Sequence, residues 1–346
     1  MHDKIVIAID AMGGENSPDK TIQGLKFFLL KNKKKDYHFH LYGKKDLITK
    51  KLKDYNISSD VVDIFHTDEI VSDNETPLTA IKNSKNTSMW NCINSQINNE
   101  ANISLSAGNT GVMLVISRMI LKTMPEVSKP ALAGLWPNNT GFSVVLDLGA
   151  NIDCDSSNLL DFSEMGAALY KSLFPNETPK IALLNIGSEE VKGTEVLKKT
   201  YTKLKDVCNN SDIIFNGYIE GNKLMDGETN VIVTDGFTGN IALKTAEGTA
   251  KFITNNLKKT FNQNILNKLS FLLSYLPLSQ FKKKLDPRKY NGAIFLGLQG
   301  PVVKSHGSTD AFGFFNSIEL CYKIVKGDLM KKIKDNLNHL KNKDAN

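Results

Sequence analysis

Residues 5–14 read IVIAIDAMGG, and this stretch decides the fold. The run Lys4–Ile9 is apolar and β-branched with no alternation of polar residues, which predicts a strand that is covered on both faces. Asp10, Gly13 and Gly14 then form a small polar turn. A strand that is buried on both faces and ends in a glycine turn is typical of the parallel sheet of an α/β protein.

The same order of strand, turn and helix recurs along the chain. Ser17–Pro18 supplies the N-cap and first-turn signals of a helix through Leu30, and Thr76–Pro77 supplies them for a helix from Pro77 to about Ile97. This alternation predicts a doubly wound, mostly parallel sheet in a single α/β catalytic domain, residues 1–346. The other strands expected are Tyr37–Tyr42, Val61–Phe65, Asn102–Leu105, Ser143–Leu146, Lys180–Leu184, Asp212–Phe215 and Val231–Val233, and the other helices are Thr110–Leu121, Asn158–Leu173, Lys192–Lys205, Asn240–Leu257 and Asp310–Val325.

One segment, residues 255–290, interrupts the alternation. It combines many leucine, isoleucine and aromatic residues with a surrounding set of lysines. We expect a helical insertion, and two interpretations of it stay open. Its apolar face forms a dimer interface, or its tip contacts anionic lipid or an acidic carrier protein. A lysine- and asparagine-rich helix is expected after Lys326.

Composition narrows the class of protein. The 346 residues are 41% hydrophobic and carry a net charge of +6, but only two of the basic residues are arginine. Because nucleic-acid binders favour arginine for bidentate contacts, we expect no nucleic-acid partner. The four cysteines form no C-x-x-C pair, which fits a reducing cytoplasm and indicates no zinc site of that type. No run of about 18 apolar residues is present, so we expect a cytoplasmic protein.

Six strand-following turns are small, polar and rich in glycine. Carboxyl ends of parallel strands are where ligands bind in such sheets, and free N–H groups at the following helices attract anions. The sequence therefore predicts that the six turns converge on one site for an anion with several oxygens. The turns are residues 10–14 (DAMGG), 106–111 (SAGNTG), 147–151 (DLGAN), 185–189 (NIGSE), 235–240 (DGFTGN) and 304–308 (KSHGS).

These segments resemble those of the PlsX family, the acyl-acyl-carrier-protein:phosphate acyltransferases. The matching stretches occur in the family's order from Ile5 to about Ser317: IAIDAMGGENSPD, SLSAGNTGVML, KPALAGLWPN, VVLDLGANID, LLNIGSEEVKGTE, VIVTDGFTGNIALKT and GPVVKSHGSTD. Glu15 and Asn16 depart from the family's first loop, where an aspartate is usual.

The resemblance implies an enzyme that converts acyl-acyl-carrier protein and inorganic phosphate into acyl phosphate, which a glycerol-3-phosphate acyltransferase then uses in phospholipid synthesis. It also implies a fold related to isocitrate and isopropylmalate dehydrogenases and to phosphotransacetylases. A homodimer that contacts membrane peripherally is expected, with no metal and no organic cofactor.

Candidate site residues follow from the turns. Phosphate can attack a thioester directly, so the protein must hold a dianion and stabilise the oxyanion. We expect His306, Lys304, Asn109, Asn151 and Asp235 to act in catalysis, with His306 protonating the thiolate or orienting phosphate. The residues expected to bind phosphate or substrate are Asp10, Gly13, Gly14, Ser106, Gly108, Thr110, Gly111, Asp147, Asn185, Gly187, Thr238, Gly239, Asn240 and Ser308.

Structural roles remain open for the same residues. Three aspartates are equally suited to cap helices or to close Asx-turns: Asp10, Asp147 and Asp235. Asn109 with Thr110 is suited to cap the helix that follows, and His306 is suited to a purely structural role. Three other classes of protein share some of these features. An actin-like kinase would need strand hairpins at its turns, a dehydrogenase would need clustered carboxylates and a nicotinamide site, and a membrane-recruited scaffold would need no anion-ready turns. A phosphotransacetylase that uses acyl-CoA is the nearest alternative reaction.

Overall fold

A computed structural model describes residues 4–72, 75–208 and 212–344. Its described residues build one mixed sheet of eleven strands in the order β3-β2-β1-β4-β11-β10-β5-β6-β9-β7-β8. The strands are β1 (Ile5–Asp10), β2 (Tyr37–Gly43), β3 (Val62–His66), β4 (Ile103–Ser106), β5 (Ala131–Pro137), β6 (Phe142–Leu146), β7 (Lys180–Asn185), β8 (Ile214–Glu220), β9 (Val231–Val233), β10 (Ala293–Leu296) and β11 (Val302–Lys304).

Helices cover both faces of the sheet. On one face α1, α6, α7, α11 and α12 bury the larger apolar core, and on the other α4, α5 and α8 cover two smaller clusters. The predicted doubly wound α/β fold is therefore confirmed. The helices are α1 (Asp19–Lys31), α2 (Lys45–Asp54), α3 (Pro77–Asn83), α4 (Ser88–Asn94), α5 (Thr110–Leu121), α6 (Ser156–Leu173), α7 (Glu195–Cys208), α8 (Gly236–Asn262), α9 (Ile265–Leu273), α10 (Tyr275–Lys284), α11 (Ala311–Lys326) and α12 (Leu329–Asp344).

Strand direction reverses in the middle of the sheet. The five strands β3, β2, β1, β4 and β11 are mutually parallel, and so are β6, β9, β7 and β8. Between the two sets, β10 and β5 make three successive antiparallel pairings. An odd number of reversals leaves β6 antiparallel to β11, so the carboxyl ends of the two sets lie at opposite edges of the sheet.

Several predicted helices differ in their bounds from the structure, and two of them show a physical reason. The first helix begins at Asp19, one residue later than expected, because the Ser17 hydroxyl donates to the Gly13 carbonyl (2.6 Å) and makes no cap bond to the helix. The segment expected as one helix to Ile97 divides into α3 and α4, and Thr87 caps the second by accepting from Trp90 N. The start at Pro77 is confirmed.

The helical arm, residues 255–290, consists of the end of α8, helices α9 and α10 and a short 3₁₀ turn. Neither α9 nor α10 contains a buried residue, although both are rich in apolar side chains. Leu273 is 80% exposed and Leu276 is 73% exposed. Across the described part of the chain, no helix combines the length and apolar character needed to cross a bilayer.

Candidate active site

The first loop cluster comprises the loops that follow β1, β4 and β11. These three strands are neighbours and parallel, so their loops meet at one edge of the sheet. Ser106 Oγ donates to Asp10 Oδ2 (2.6 Å) and accepts from Gly108 N (3.0 Å). Backbone bonds from Ser305 N to Ser106 O (2.8 Å) and from Glu15 N to Gly307 O (3.0 Å) join the loops. Sequence-predicted residues from three distant segments are thus in direct contact.

Gly13 lies where these loops approach most closely. A Cβ atom at this position would lie 2.7 Å from Asp10 Oδ2 and 2.8 Å from both Gly108 N and Ser106 Oγ. Carbon atoms do not approach polar atoms so closely, so any side chain would force the loops apart. The neighbouring Gly14 has a φ of +76°, which other residues rarely adopt. Both glycines are therefore required by the geometry of the cluster.

Two buried lysines direct positive charge into the first loop cluster. Lys20 is 2% exposed and its Nζ donates to Gly307 O. Lys304 is 9% exposed and its Nζ donates to Ala107 O (3.5 Å) and to Ser305 O. Burying an ammonium group is costly, and two of them at loops that also present backbone N–H groups make the cluster suitable for an anion.

Asp10 is the carboxyl group of this cluster and is 1% exposed. Burial raises its pKa above the usual range, while hydrogen bonds oppose that effect, first from Ser106 and then from Ser88, Met12 N and Gly13 N. The carboxyl therefore binds a proton more readily than an exposed aspartate does. Its oxygens face loop N–H and O–H groups, which fits the orienting role expected for it.

The start of α5 carries the predicted Asn109 and Thr110. Asn109 is the N-cap, and its Oδ1 accepts from Val112 N (3.1 Å) while its Nδ2 donates to Glu75 O (3.4 Å). The structural alternative considered for this asparagine is thus present. Thr110 is exposed and begins the helix, and Gly111 follows it, so N–H groups of this helix end adjoin the first loop cluster.

His306 lies in the loop after β11 with its side chain exposed. Its backbone N donates to Asn291 Oδ1 (3.1 Å), and its Nδ1 lies 3.1 Å from Ser308 Oγ. Loss of hydration lowers the pKa of the imidazole below its usual range, and the positive charge of Lys304 lowers it further. The ring is therefore neutral at pH 7 and accepts a proton more readily than it donates one.

The second loop cluster comprises the loops after β6 and β9. Asp147 is fully buried and accepts from Leu132 N (2.9 Å), Gly149 N, Ala150 N, Asn151 N (2.7 Å) and Asn151 Nδ2 (2.8 Å). Burial raises the pKa of this carboxyl, and these bonds oppose the rise. Asp147 therefore closes its own turn, which is the structural role considered for it.

Asp235 and its neighbours complete the second loop cluster. Asp235 caps α8, since its carboxylate accepts from Thr238 N (2.8 Å) and Thr238 Oγ1 (2.8 Å). Asn151 Nδ2 donates to Pro130 O (2.8 Å) as well as to Asp147. A Cβ at Gly239 would lie 2.0 Å from Asp147 O, and Asn240 packs beside Gly149.

Asn185 closes the loop after β7, one strand further along. Its Nδ2 donates to Gly187 O (3.2 Å) and to Lys192 O (3.2 Å). Lys192 forms an exposed ion pair with Glu189 (2.8 Å). These contacts organise this loop internally and do not connect it to either loop cluster.

The expectation that all six turns meet in one place is wrong. The loops after β1, β4 and β11 lie at one edge of the sheet, and those after β6, β7 and β9 lie at the other, because of the three antiparallel pairings made by β10 and β5. A five-residue strand such as β6 spans about 16 Å. Asp10, Ser106 and Lys304 therefore cannot share a small ligand with Asp147 and Asp235 at the strand ends.

Helix α8 begins at the second loop cluster and carries charged side chains that act on His306 in the first. It starts at the cap Asp235 and extends for 27 residues, or about 40 Å. Glu247 and Lys244, which form an ion pair on this helix (2.9 Å), both act on the pKa of His306. The second loop cluster thus fixes the start of a helix whose middle lies near the first.

Two residues of the first loop cluster were not singled out from the sequence. Lys20 is the second residue of α1, six residues after the DAMGG turn ends, and its position in the first turn of a helix that follows a glycine turn was an available signal. Asn291 holds the loop after β11, with Nδ2 donating to Ser305 Oγ (2.8 Å), Gly313 O (2.9 Å) and Ser317 Oγ (3.0 Å). Nothing in the surrounding sequence marks Asn291.

The chain matches a family model and named relatives over nearly its whole length. The family model described as "Fatty acid synthesis protein" matches residues 5–332. A protein of Pelagibacter ubique named phosphate acyltransferase is 54% identical over 96% of this chain and 98% of its own length. One of the same name from Parvibaculum lavamentivorans is 42% identical over 97% of this chain and 92% of its own length.

Solved structures show the same fold at low sequence identity. A phosphotransacetylase from Streptococcus pyogenes superposes with a TM-score of 0.60 and 15% identity, covering 95% of this chain and 94% of that one. A 4-hydroxythreonine-4-phosphate dehydrogenase from Klebsiella pneumoniae gives 0.53 and 10%, covering 93% and 99%. Likeness at this level concerns the fold alone.

Proposed function

This chain belongs to the fatty acid synthesis protein family and is a phosphate acyltransferase, and from that premise we propose that it transfers a long-chain acyl group from acyl carrier protein to inorganic phosphate. The observation that supports the proposal is the first loop cluster, where buried Lys20 and Lys304 accompany glycine turns. The product, acyl phosphate, would serve a glycerol-3-phosphate acyltransferase in phospholipid synthesis.

The proposed reaction needs no nucleophile from the protein. An oxygen of hydrogen phosphate attacks the thioester carbonyl, a C–O bond forms, and the C–S bond then breaks. The hydrogen of hydrogen phosphate ends on the thiol of the carrier. The protein therefore has to bind a dianion, stabilise the oxyanion of the tetrahedral intermediate and move one proton.

The first loop cluster offers a group for each task. Lys20 and Lys304 supply positive charge, and the N–H groups around Gly108 and the start of α5 supply donors. Neutral His306 takes the proton from phosphate and passes it to the departing thiolate. Asp10 and Ser106 act as positioning residues, because they hold the loops together.

The second loop cluster has a different proposed role. The carboxylates of Asp147 and Asp235 and the amide of Asn151 are already engaged by protein groups. We assign these residues, with Thr238, Gly239 and Asn240, to positioning α8, which places Glu247 and Lys244 near His306. Asn185 and Gly187 order the neighbouring loop in the same way.

Formation of acyl phosphate from purified components tests the proposal. The protein is incubated with acyl-acyl-carrier protein and phosphate, and hydroxylamine traps acyl phosphate as a hydroxamate. We expect product that requires phosphate but neither ATP nor NAD, and a strong loss of turnover in His306→Ala. Faster turnover with acyl-CoA would instead favour a phosphotransacetylase, and no turnover with either donor would favour a scaffold.

We further propose that the helical arm contacts anionic membrane. The arm carries seven lysines and one arginine but a single acidic residue, Asp286. Ile265, Leu266 and Leu272 are 84%, 74% and 68% exposed on the same arm. Exposed apolar side chains flanked by lysines suit the boundary between anionic headgroups and acyl chains. The product of the proposed reaction is itself a lipid precursor, which supports this partner.

Sedimentation with vesicles separates the two interpretations of the arm. We expect wild type to pellet with anionic vesicles and Leu272→Glu plus Leu276→Glu to stay in solution. The control is Leu30→Glu plus Leu47→Glu, since these leucines are exposed on α1 and α2. If the arm variant pellets as wild type does, the membrane proposal fails. If it instead converts a dimer into a monomer in ultracentrifugation, the arm is a dimer interface.

A further inference from the structure

Three side chains away from both loop clusters are spaced like metal ligands. His38 and His40 lie on β2 and Asp63 lies on β3. His38 Nε2 is 2.8 Å from Asp63 Oδ2, and His40 Nε2 is 3.9 Å from the same oxygen. The three ligand atoms all lie within 4.8 Å of one another. Among the residues that the structure describes, these three form the group whose ligand atoms are close enough to hold one metal ion.

Strand geometry brings the three groups together. Residues two apart on a strand face the same side, so the His38-x-His40 spacing places both imidazoles on one face of β2. The register pairs His40 with Asp63 across β2 and β3, which adds the carboxylate on that face. The imidazole rings of His38 and His40 stand nearly perpendicular, at 86°, with centroids 5.7 Å apart.

The surroundings limit how far the ligands can move. Phe65 packs against the His40 ring with centroids 4.9 Å apart, and the side chains of His38 and His40 are only 20% and 13% exposed. The carboxylate of Asp63 is 61% exposed. A site with two ordered imidazoles and an accessible carboxylate lets an ion enter from solvent and leaves room for water as a further ligand.

The donor set selects a class of ion. In tetrahedral zinc sites, Zn–N and Zn–O distances of about 2.0–2.1 Å place neighbouring ligand atoms roughly 3.3 Å apart. The observed separations of 2.8 and 3.9 Å bracket that value. Imidazole with one carboxylate suits zinc and related divalent transition metals better than calcium or magnesium, which prefer oxygen ligands.

We propose that His38, His40 and Asp63 form a binding site for zinc or a similar divalent transition metal, separate from the reaction site. His38 and Asp63 are the second residues of β2 and β3 and His40 is at the middle of β2, whereas the first loop cluster follows the carboxyl ends of β1, β4 and β11. Because β3 is the edge strand of the sheet, the ion would fasten that edge to β2.

Calorimetric titration with zinc tests this site. Tag-free protein in phosphate-free buffer is titrated with zinc chloride, and we expect one ion bound per chain. His38→Gln, His40→Gln and Asp63→Asn should each weaken binding about 10-fold or more, since even the outer partners of metal ligands contribute 10–100-fold. Zinc should also raise the melting temperature of wild type but not of these variants.

His66→Gln is the matched control. His66 forms another histidine–aspartate pair in the same region, with Nε2 3.1 Å from Asp68 Oδ1, but the pair has no second histidine. We expect zinc affinity like that of wild type. Asp63→Asn changes an exposed side chain and keeps the test valid if a histidine variant fails to fold. The absence of stoichiometric binding, or an affinity unchanged in Asp63→Asn and His40→Gln, overturns the proposal.

Discussion

Replacing Ser106 by alanine tests the first loop cluster most directly. The hydroxyl donates to Asp10 Oδ2 (2.6 Å) and accepts from Gly108 N (3.0 Å). Alanine leaves the buried acceptor Asp10 Oδ2 and the buried donor Gly108 N without this partner. Each loss lowers the stability of the folded state by about 1–3 kcal/mol. We therefore expect the free energy of unfolding to fall by about 2–6 kcal/mol.

Ser104 provides a control with the same chemical change. It is buried on the same strand, and its Oγ donates to Cys92 O (2.9 Å) and accepts from Gln96 Nε2 (2.7 Å). Ser104→Ala thus also removes two hydrogen bonds, and neither of them involves a residue of the first loop cluster. Its loss of stability, measured by denaturant unfolding, should resemble that of Ser106→Ala.

Activity should distinguish the two variants. Without Ser106, the pKa of Asp10 rises further, because this bond is the largest effect that lowers it, and Gly108 loses its anchor. We expect kcat/KM for phosphate in the hydroxamate assay to fall about 100-fold, which corresponds to about 2.7 kcal/mol of transition-state stabilisation. Ser104→Ala should stay close to wild type. Equal activity of the two variants at a temperature where both are folded would refute the proposed role of the cluster.

Two further predictions concern charge near the same loops. Lys20→Met keeps the buried stem but removes the ammonium group, so KM for phosphate should rise at least about 10-fold. The control is Lys26→Met, on the exposed side of α1, which should leave KM unchanged. A similar rise in both variants would show that Lys20 does not act on phosphate. Glu247 raises and Lys244 lowers the pKa of His306. Because the proposal needs the neutral imidazole, activity should be lost as pH falls through that pKa. Glu247→Gln should move this loss to lower pH and Lys244→Gln to higher pH, measured as kcat/KM against pH, and shifts in the same direction would contradict the assignment.

Local signals located most helices and strands of this protein. The Thr76–Pro77 start, the Thr110–Leu121 helix and the outer strands follow from capping residues and apolar runs, which act within a few residues of sequence. Ser17 shows the limit of that approach. Its hydroxyl is taken by Gly13 O, a partner that exists only once the turn has folded, so the expected cap does not form.

Pairing between strands that are distant in sequence determines which turns lie at the same edge of the sheet. Strands β5, β10 and β11 are not among those predicted from local signals, and β10 and β5 reverse the direction of the sheet between its halves. That reversal sends the Asp147 and Asp235 turns to the edge opposite Asp10, although all look alike in sequence. Pairing partners far apart in the chain are set by packing of the whole sheet, which local propensity does not encode.

The α/β class, the glycine turns and the family resemblance could all be predicted from the amino-acid sequence, because turn chemistry and apolar periodicity are properties of neighbouring residues. Only the tertiary structure decided which turns share a site, that Lys20 joins Lys304 there, and that His38, His40 and Asp63 meet across two strands. Strand register and direction bring these side chains together, and both are set by pairing between segments that are distant along the chain.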